Sequence, residues 1–512
     1  MKIIGKCCFL AFIIIVFSGC TSHYIYPNAP LEYKLPQPIG TPLADYYQQY
    51  FEQYPIAHQN TALYPLGDGI DAFIARLATV EMATEAVDVQ YYIYRNDDTS
   101  KILTLFLMHA ANRGVRVRLL LDDMGTSGLD SPLMSLSNHP NVSVRMFNPI
   151  KDRKKRVWSF LSDFGRVNHR MHNKSLTVDN MLSIVGGRNI GNEYFSADEN
   201  VEFGDFDVLL MGPAVDEVSD QFDLYWNASQ VKPIEQLVEA FDDLSWDVEL
   251  NRLAEFQQIF EQSQYYTRLN ESEFLKQLLN DKLHWYHVNA NVIFDPPNKL
   301  SQIEQANIVD DLTSFFDTAA SKVLIISPYF VPTQAGTDSI IAKVEQGIEV
   351  RVVTNSLAAT DVLAVHSGYT QYRRQLVEAG VIVYELKANL ASRYKKEKKI
   401  SFKGSSRSSL HAKTFVVDDT ASFVGSFNFD PRSAVLNTEM GVIIDDQPFT
   451  QLYLAEIDAK LNNKVYQVKV EQGRLVWLDL ATGEKLTHEP DTSLWQRFMA
   501  NLLSYLPIES QL

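Results

Sequence analysis

An internal duplication constrains this chain more than any other feature. His172-Asn-Lys174-Ser-Leu-Thr-Val-Asp179 and His411-Ala-Lys413-Thr-Phe-Val-Val-Asp418 both read His-x-Lys-x4-Asp. Each is followed by a Gly/Asn turn, Gly186-Gly-Arg-Asn189 in the first copy and Gly425-Ser-Phe-Asn428 in the second. One match to three fixed residues can be accident; two, with the same turn and in matching places of two halves, are not. Alternation along Leu176 to Asp179 and Phe415 to Asp418 predicts a strand for each, which turns the His and the Lys two residues later to one face. Paired histidines suit the splitting of a phosphodiester through a covalent intermediate, one as nucleophile and the other as acid on the leaving group.

The elements around the signatures repeat too. Val87 to Tyr94 is strand-like, Lys101 to Arg113 helical, and Val115 to Leu121 a strand after Gly114. In the second half Val323 to Phe330, Asp338 to Gln346 and Ile348 to Val353 follow the same order, with Gly347 before the last. A further helix and a short strand follow in both (Val142 to Met146; Val381 to Leu386). Strands alternating with helices predict an α/β fold of two duplicated lobes related by a pseudo-two-fold, each with a largely parallel core and the active site between them. At 512 residues the chain has material for both. The expected division is a leader over 1–19, a tether and packed segment over 20–65, and a first lobe over 66–230. A helical connection over 231–287, a second lobe over 288–490 and an amphipathic helix over 491–512 complete it.

The leader has its own chemistry. Lys2 and Lys6 precede an apolar run, Cys7 to Phe17, too short to span a bilayer comfortably. It ends in Phe17-Ser-Gly-Cys20, which resembles a bacterial lipobox; an ordinary signal peptide and an uncleaved anchor are the alternatives. Acylation of Cys20 would leave a mature domain without disulfide or thiolate, since Cys7, Cys8 and Cys20 are the only cysteines. The resemblance implies a lipid-anchored envelope protein facing the periplasm, with Thr21 leaning towards the outer membrane.

A formal charge of −17 argues against a dedicated nucleic-acid binder. Basic residues nevertheless gather before each signature: Lys151, Arg153, Lys154, Lys155 and Arg156, then Lys395, Lys396, Lys398, Lys399, Lys403 and Arg407. They read as a site focusing anionic phosphate or lipid, or more blandly as solvated loops. Near the end, Leu494, Trp495, Phe498, Met499, Leu502, Leu503 and Leu506 form a wide apolar helical face. Packing on the body and shallow insertion at a membrane both suit it.

These motifs, with Ser327-Pro-Tyr-Phe-Val-Pro332, Thr354 to Asp361 and Val365-His-Ser-Gly-Tyr369, resemble the phospholipase D superfamily of the two-signature kind. Within it they are most similar to bacterial cardiolipin synthases of the C type. The resemblance implies a phosphatidyltransferase joining phosphatidylglycerol to a phosphatidyl group, with phosphatidylethanolamine as donor. Hydrolytic phospholipase D, a nuclease and an inactive lipid-binding lipoprotein are the alternatives. It implies phospholipids and a membrane surface as partners, and neither cofactor nor metal; no cluster in the sequence has metal-ligand spacing. Lys174 and Lys413 are expected to neutralise the non-bridging phosphate oxygens, and Asn189 and Asn428 to donate further hydrogen bonds to them. A nucleophilic imidazole also needs its far nitrogen held. The strand after each turn offers an acceptor: Glu439, where the family carries a carboxylate, and Asp205 by alignment of the repeats, with Asp207 as competitor. Asp179 and Asp418 are counted with the catalytic signatures, and are expected at the lobe interface or against the lysines rather than on substrate. His366 reads equally as a pocket residue and as a structural one.

Overall fold

The computed structural model describes residues 29–54, 60–153, 158–159, 162–197, 202–239, 245–299, 307–388, 408–461 and 463–512. The leader with Cys20, and Lys154, Lys155, Arg156, Lys395, Lys396, Lys398, Lys399, Lys403 and Arg407 of the basic runs, lie outside the described residues.

The strands of the first lobe are β1 (Thr61–Leu66), β2 (Ala86–Ile93), β3 (Arg116–Gly125), β4 (Val142–Phe147), β5 (Ser175–Val178), β6 (Leu182–Gly186), β7 (Glu202–Gly204), β8 (Asp207–Met211) and β9 (Val231–Pro233). Except for β7 they form one sheet in the order β9-β4-β3-β2-β5-β6-β8-β1. The second lobe supplies β10 (Tyr286–Phe294), β11 (Lys322–Ile326), β12 (Glu349–Asn355), β13 (Ile382–Leu386), β14 (Ser408–Leu410), β15 (Thr414–Val417), β16 (Ala421–Gly425), β17 (Met440–Asp445), β18 (Val465–Glu471), β19 (Arg474–Asp479) and β20 (Lys485–Leu486). Its order, β10-β17-β16-β15-β11-β12-β13-β18-β19-β20, runs strand for strand like the first as far as β18. β1 and β10 pair antiparallel, Ala62 opposite His287, and fuse the halves edge to edge.

The duplication is therefore plain, but the core is not largely parallel. Only β2-β3-β4 and β11-β12-β13 are parallel; every other ladder in the sheet is antiparallel. The reason lies in the signatures. Asp179 and Asn180 have φ of 52° and 53°, Asp418 and Asp419 of 52° and 58°. Asp and Asn tolerate this left-handed region, so each signature strand doubles back as a hairpin instead of crossing over.

Helices cover the parallel strands. Gly69–Glu81 starts at Asp68, whose carboxylate accepts from the Ile70 and Asp71 N–H groups, and Asp98–Asn112 starts in a capping box between Asp97 and Ser100. Two expected boundaries move. Residues 61–65, assigned to the tether, are most of β1 and lie at the centre of the fused sheet. Residues 231–233 of the connection close the first sheet as β9, and the connection's Leu253, Phe260, Tyr265, Leu269 and Phe274 pack into the first lobe's core. A separate apolar core joins the lobes, with Leu63, Val185, Val208 and Leu210 from the first meeting Val288, Val416, Val424 and Val442 from the second. That contact fixes the relative position of the two signatures.

Candidate active site

Each signature histidine is held by the opposite lobe. The His172 N–H donates to Thr438 O at 2.8 Å, and His172 Nδ1 stands 2.8 Å from Glu439 Oε2. Reciprocally, the His411 N–H donates to Gly204 O at 2.8 Å, and His411 Nδ1 stands 2.6 Å from Asp205 Oδ2. β7 and β14, which run parallel across the lobe boundary, bring Gly204 beside Leu410 and so deliver Asp205 to His411. The sequence pointed to Asp205 and Glu439 as acceptors but not to the exchange between lobes. Asp207, the competitor, is committed elsewhere: it accepts from buried Arg76 at 2.8 Å and from the Arg188 N–H at 3.1 Å.

With Nδ1–H donated to a carboxylate, each ring keeps its Nε2 unprotonated; this tautomer is inferred from the hydrogen bonding. Burial disfavours the charged rings. His172 is brought down to about 4 and His411 to about 3, desolvation being the largest cause in both, with the neighbouring carboxylates pulling the other way. Asp205 and Glu439 are held below the usual carboxylate range by their histidines and the lysines despite burial. Lys413 also depresses His172, and Lys174 depresses His411, so the four bases are coupled across the interface.

The lysines are buried and turned back on their own signatures, each Nζ donating to the carbonyl of the histidine two residues earlier. Lys413 Nζ also lies 3.1 and 3.3 Å from the two ring nitrogens of His411. Burial, together with the charge of Lys413, lowers Lys174 to about 7. The site thus sets two lysines against two carboxylates between neutral imidazoles, and an entering phosphate anion would favour the protonated form of every base.

The turns after the signatures play unequal parts. A Cβ on Gly187 would stand 2.1 Å from Asp205 Oδ1, so only glycine lets the short carboxylate pass. The matching residue of the second copy, Ser426, instead donates to the longer Glu439 at Oε2, while Ser433 donates to Oε1 at 2.9 Å. Asn189 is engaged at both ends, accepting from the Ile93 N–H at 3.1 Å and donating to Tyr194 Oη at 3.0 Å. Asn428 differs: its Oδ1 is buried with no partner among the described residues.

Asp179 and Asp418 touch neither the lysines nor the lobe interface. Asp179 accepts from the N–H groups of Thr84, Glu85 and Ala86 and the Thr84 hydroxyl, all at 2.8–2.9 Å. Asp418 does the same at Ala320, Ser321 and Lys322. Four residues of extended chain separate each from its lysine, five steps or about 17 Å, so neither reaches the phosphate. They fasten the start of the neighbouring strand. His366 is buried 3.8 Å from Glu489 with its ring against Tyr369, inside the second lobe. Arg153, from the first basic run, is bonded to Asp123 and Asp130 rather than free.

Two residues at the rings escaped the sequence reading. Tyr92 meets His172, and Tyr194 meets His411, edge-on with centroids 5.1 Å apart in both pairs. Aligning the repeats sets Tyr194 opposite Ser433, and this departure from symmetry was the available signal.

The family model described as "Cardiolipin synthase, PLD-like domain" matches the chain twice, over residues 77–226 and 312–461. The chain is 39% identical over 453 residues to cardiolipin synthase C of Escherichia coli (strain K12), covering 87% of this chain and 95% of that protein. It is 33% identical over 509 residues to an uncharacterized protein of Helicobacter pylori (strain ATCC 700392 / 26695), covering 98% of this chain and 99% of that one. In fold it is similar to a phosphatidylserine synthase of Haemophilus influenzae Rd KW20, with a TM-score of 0.56 and 14% identity over 91% of this chain and 99% of that chain. The chain belongs to the cardiolipin synthase branch of the phospholipase D-like family, with both copies of the domain present, and is a phosphatidyltransferase.

Proposed function

We propose that this enzyme makes cardiolipin by transferring a phosphatidyl group, from phosphatidylethanolamine, to a hydroxyl of phosphatidylglycerol. The observation that carries the reading is the reciprocal holding of two neutral imidazoles by carboxylates of the opposite lobe, with two buried lysines beside them. His172 Nε2 attacks the donor phosphorus and the bond to the head-group oxygen breaks. His411, protonated as the phosphate anion enters, passes its Nε2 proton to that oxygen. The phosphatidyl-histidine is then attacked by the phosphatidylglycerol hydroxyl, whose proton returns to His411 as the bond to His172 breaks. Lys174 and Lys413 swing from the histidine carbonyls to the non-bridging oxygens, and Asn428 joins them by donating from its amide N–H groups, whereas the amide of Asn189 is already engaged at both ends.

The carboxylates support this division of labour. Asp205 gives one oxygen to His411, the arrangement that best stabilises an imidazolium. Glu439 is shared among His172, Ser426 and Ser433, which spreads its charge and leaves His172 neutral and nucleophilic. The two lobes of this site are residues 66–230, extended by 61–65 and 231–233, and residues 288–490, and a lipid on Cys20 would tether them to the cell envelope on its periplasmic side.

Purified protein mixed with phosphatidylethanolamine and phosphatidylglycerol should form cardiolipin and free ethanolamine. Phosphatidic acid as the sole product would make the enzyme a hydrolase, and no product from any phospholipid pair would sink the proposal. Brief incubation with phosphorus-labelled donor, then denaturation, should leave label on the peptide containing His172; label on the His411 peptide would reverse the roles. Replacing either histidine with Ala should abolish turnover.

A further inference from the structure

The helix Leu494–Leu503 has an apolar face wider than the part of it that is buried. Its inner stripe, Met499, Ala500 and Leu503, faces the helix Leu363–Glu378, and Ala500 is buried. Its outer stripe continues past the helix end and is open: Trp495 is 66% exposed, Phe498 56%, Leu502 48% and Tyr505 79%. The helix is amphipathic, with Gln496, Arg497 and Asn501 on its polar side, but its apolar face is wider than the stripe it buries, and contiguous exposed apolar surface of this kind marks a docking site.

The residues that follow tie this helix to the active-site rim. Arg432, four residues beyond Asn428, donates its N–H to Leu512 O at 2.6 Å and its guanidinium to Asn168 O at 2.9 Å. Asn168, four residues before His172, donates to Gln511 Oε1 at 2.8 Å. The Leu512 side chain is buried in the second lobe against Gly368, and Tyr372 donates to Glu509 at 2.6 Å. Residues 508–512 thus sit where the two lobes meet, on the segments leading to both signatures. The rim adds exposed apolar side chains of its own, Phe164 on the approach to Asn168 and Val435 just past Arg432.

We infer that the outer stripe of this helix, with Phe164 and Val435, is the surface by which the enzyme lies on a lipid bilayer with its active site facing the head groups. The inference rests on the lipid substrate proposed above. Three observations favour a bilayer over a second copy of the chain. The helix has 10 residues, about 15 Å of length, and so narrow a face falls short of the roughly 800 Å² per partner of a stable protein interface. Trp495 and Tyr505 combine an apolar body with a polar tip, as suits the head-group boundary. The chain carries −17, so a net attraction to an anionic surface does not seat its body, and shallow apolar insertion supplies a contact that neither charge nor a lipid on Cys20 would orient.

The test uses the full chain carrying Cys20→Ser, which removes any lipid tether, and vesicles of phosphatidylcholine alone. Flotation with the vesicles should fall about tenfold or more in the variant Trp495→Gln, Phe498→Gln, Leu502→Gln, while transfer between short-chain, monomeric phospholipids stays at the parent rate. Raising the salt should change flotation of the parent little. Flotation unchanged by the triple variant, or loss of the short-chain reaction with it, would overturn the inference. So would a parent that sediments as a dimer alongside a monomeric variant, since a second copy would then cover the stripe. If the parent catalyses no lipid transfer yet floats through this stripe, the reaction assignment fails and the docking surface stands.

Discussion

Glu439 Oε2 stands 2.8 Å from His172 Nδ1 although 267 residues separate them in sequence and they belong to different lobes. The reciprocal pair, Asp205 and His411, spans 206 residues at 2.6 Å. Neither lobe therefore holds a complete histidine–carboxylate pair, and the fused sheet and interlobe core are preconditions of the proposed chemistry.

Glu439→Gln keeps an oxygen able to accept from His172 Nδ1 but removes the charge that fixes the tautomer and steadies the ring. Turnover of a soluble short-chain phosphodiester should fall about 10²–10⁴-fold, with the melting temperature nearly held. Steady-state kinetics beside a thermal melt separates the two effects. A variant as fast as the parent would show that Glu439 only packs.

The duplication, the lobes and the residues of the signatures were legible because the sequence repeats them with fixed spacing. What was not legible follows from pairing rather than pattern. That each histidine takes its acceptor from the other lobe depends on how β7 meets β14, how Met171 meets Thr438 and how β1 meets β10, and no local period records which edges fuse. The parallel core was over-read because the turns at Asp179-Asn180 and Asp418-Asp419 were not recognised as left-handed hairpin turns. Asp179 and Asp418 looked catalytic because the signature includes them, whereas the same spacing makes them clasps for strand starts at the far end. Tyr92 and Tyr194 broke the symmetry of the repeat and so left no repeated mark.

The exchange of short and long carboxylates predicts an asymmetric tolerance. Gly187→Ala sets a methyl against the Asp205 carboxylate, 2.1 Å from Oδ1 before any shift, and His411 loses its acceptor. Activity should fall at least about 10²-fold. Ser426→Ala merely removes one of three donors to Glu439 and should keep a substantial share of the parent rate. Parallel assays of the two variants check this; equal losses would show that the turn, not the carboxylate, sets the rate.

Asp179→Asn should cost stability and spare chemistry. The carboxylate accepts three backbone N–H groups and a hydroxyl at the start of β2, and an amide can serve only some of them. About 1–3 kcal/mol should be lost, read as a lower denaturation midpoint, while turnover per folded molecule is retained. The same holds for Asp418→Asn. An inactive but fully stable variant would return these residues to the reaction.

The last prediction concerns acid. Both histidines are buried neutral, with values near 4 and 3 in the fold against an ordinary 6.5. A base depressed on folding binds its proton more readily in the unfolded chain, so stability is full above pH 6.5 and declines as pH falls towards 4. Glu439 and Asp205 act in the same direction at the lower end, being held below their unfolded values. The melting temperature of the parent should therefore drop between pH 7 and pH 4. The double variant His172→Gln, His411→Gln, which has no imidazole to charge there, should drop less. A bound phosphate analogue such as vanadate should flatten the parent curve as well, because its charge draws the histidine values upward and narrows the gap to the unfolded chain. Identical slopes for parent and variant would mean that the signature histidines are not held neutral in the empty site.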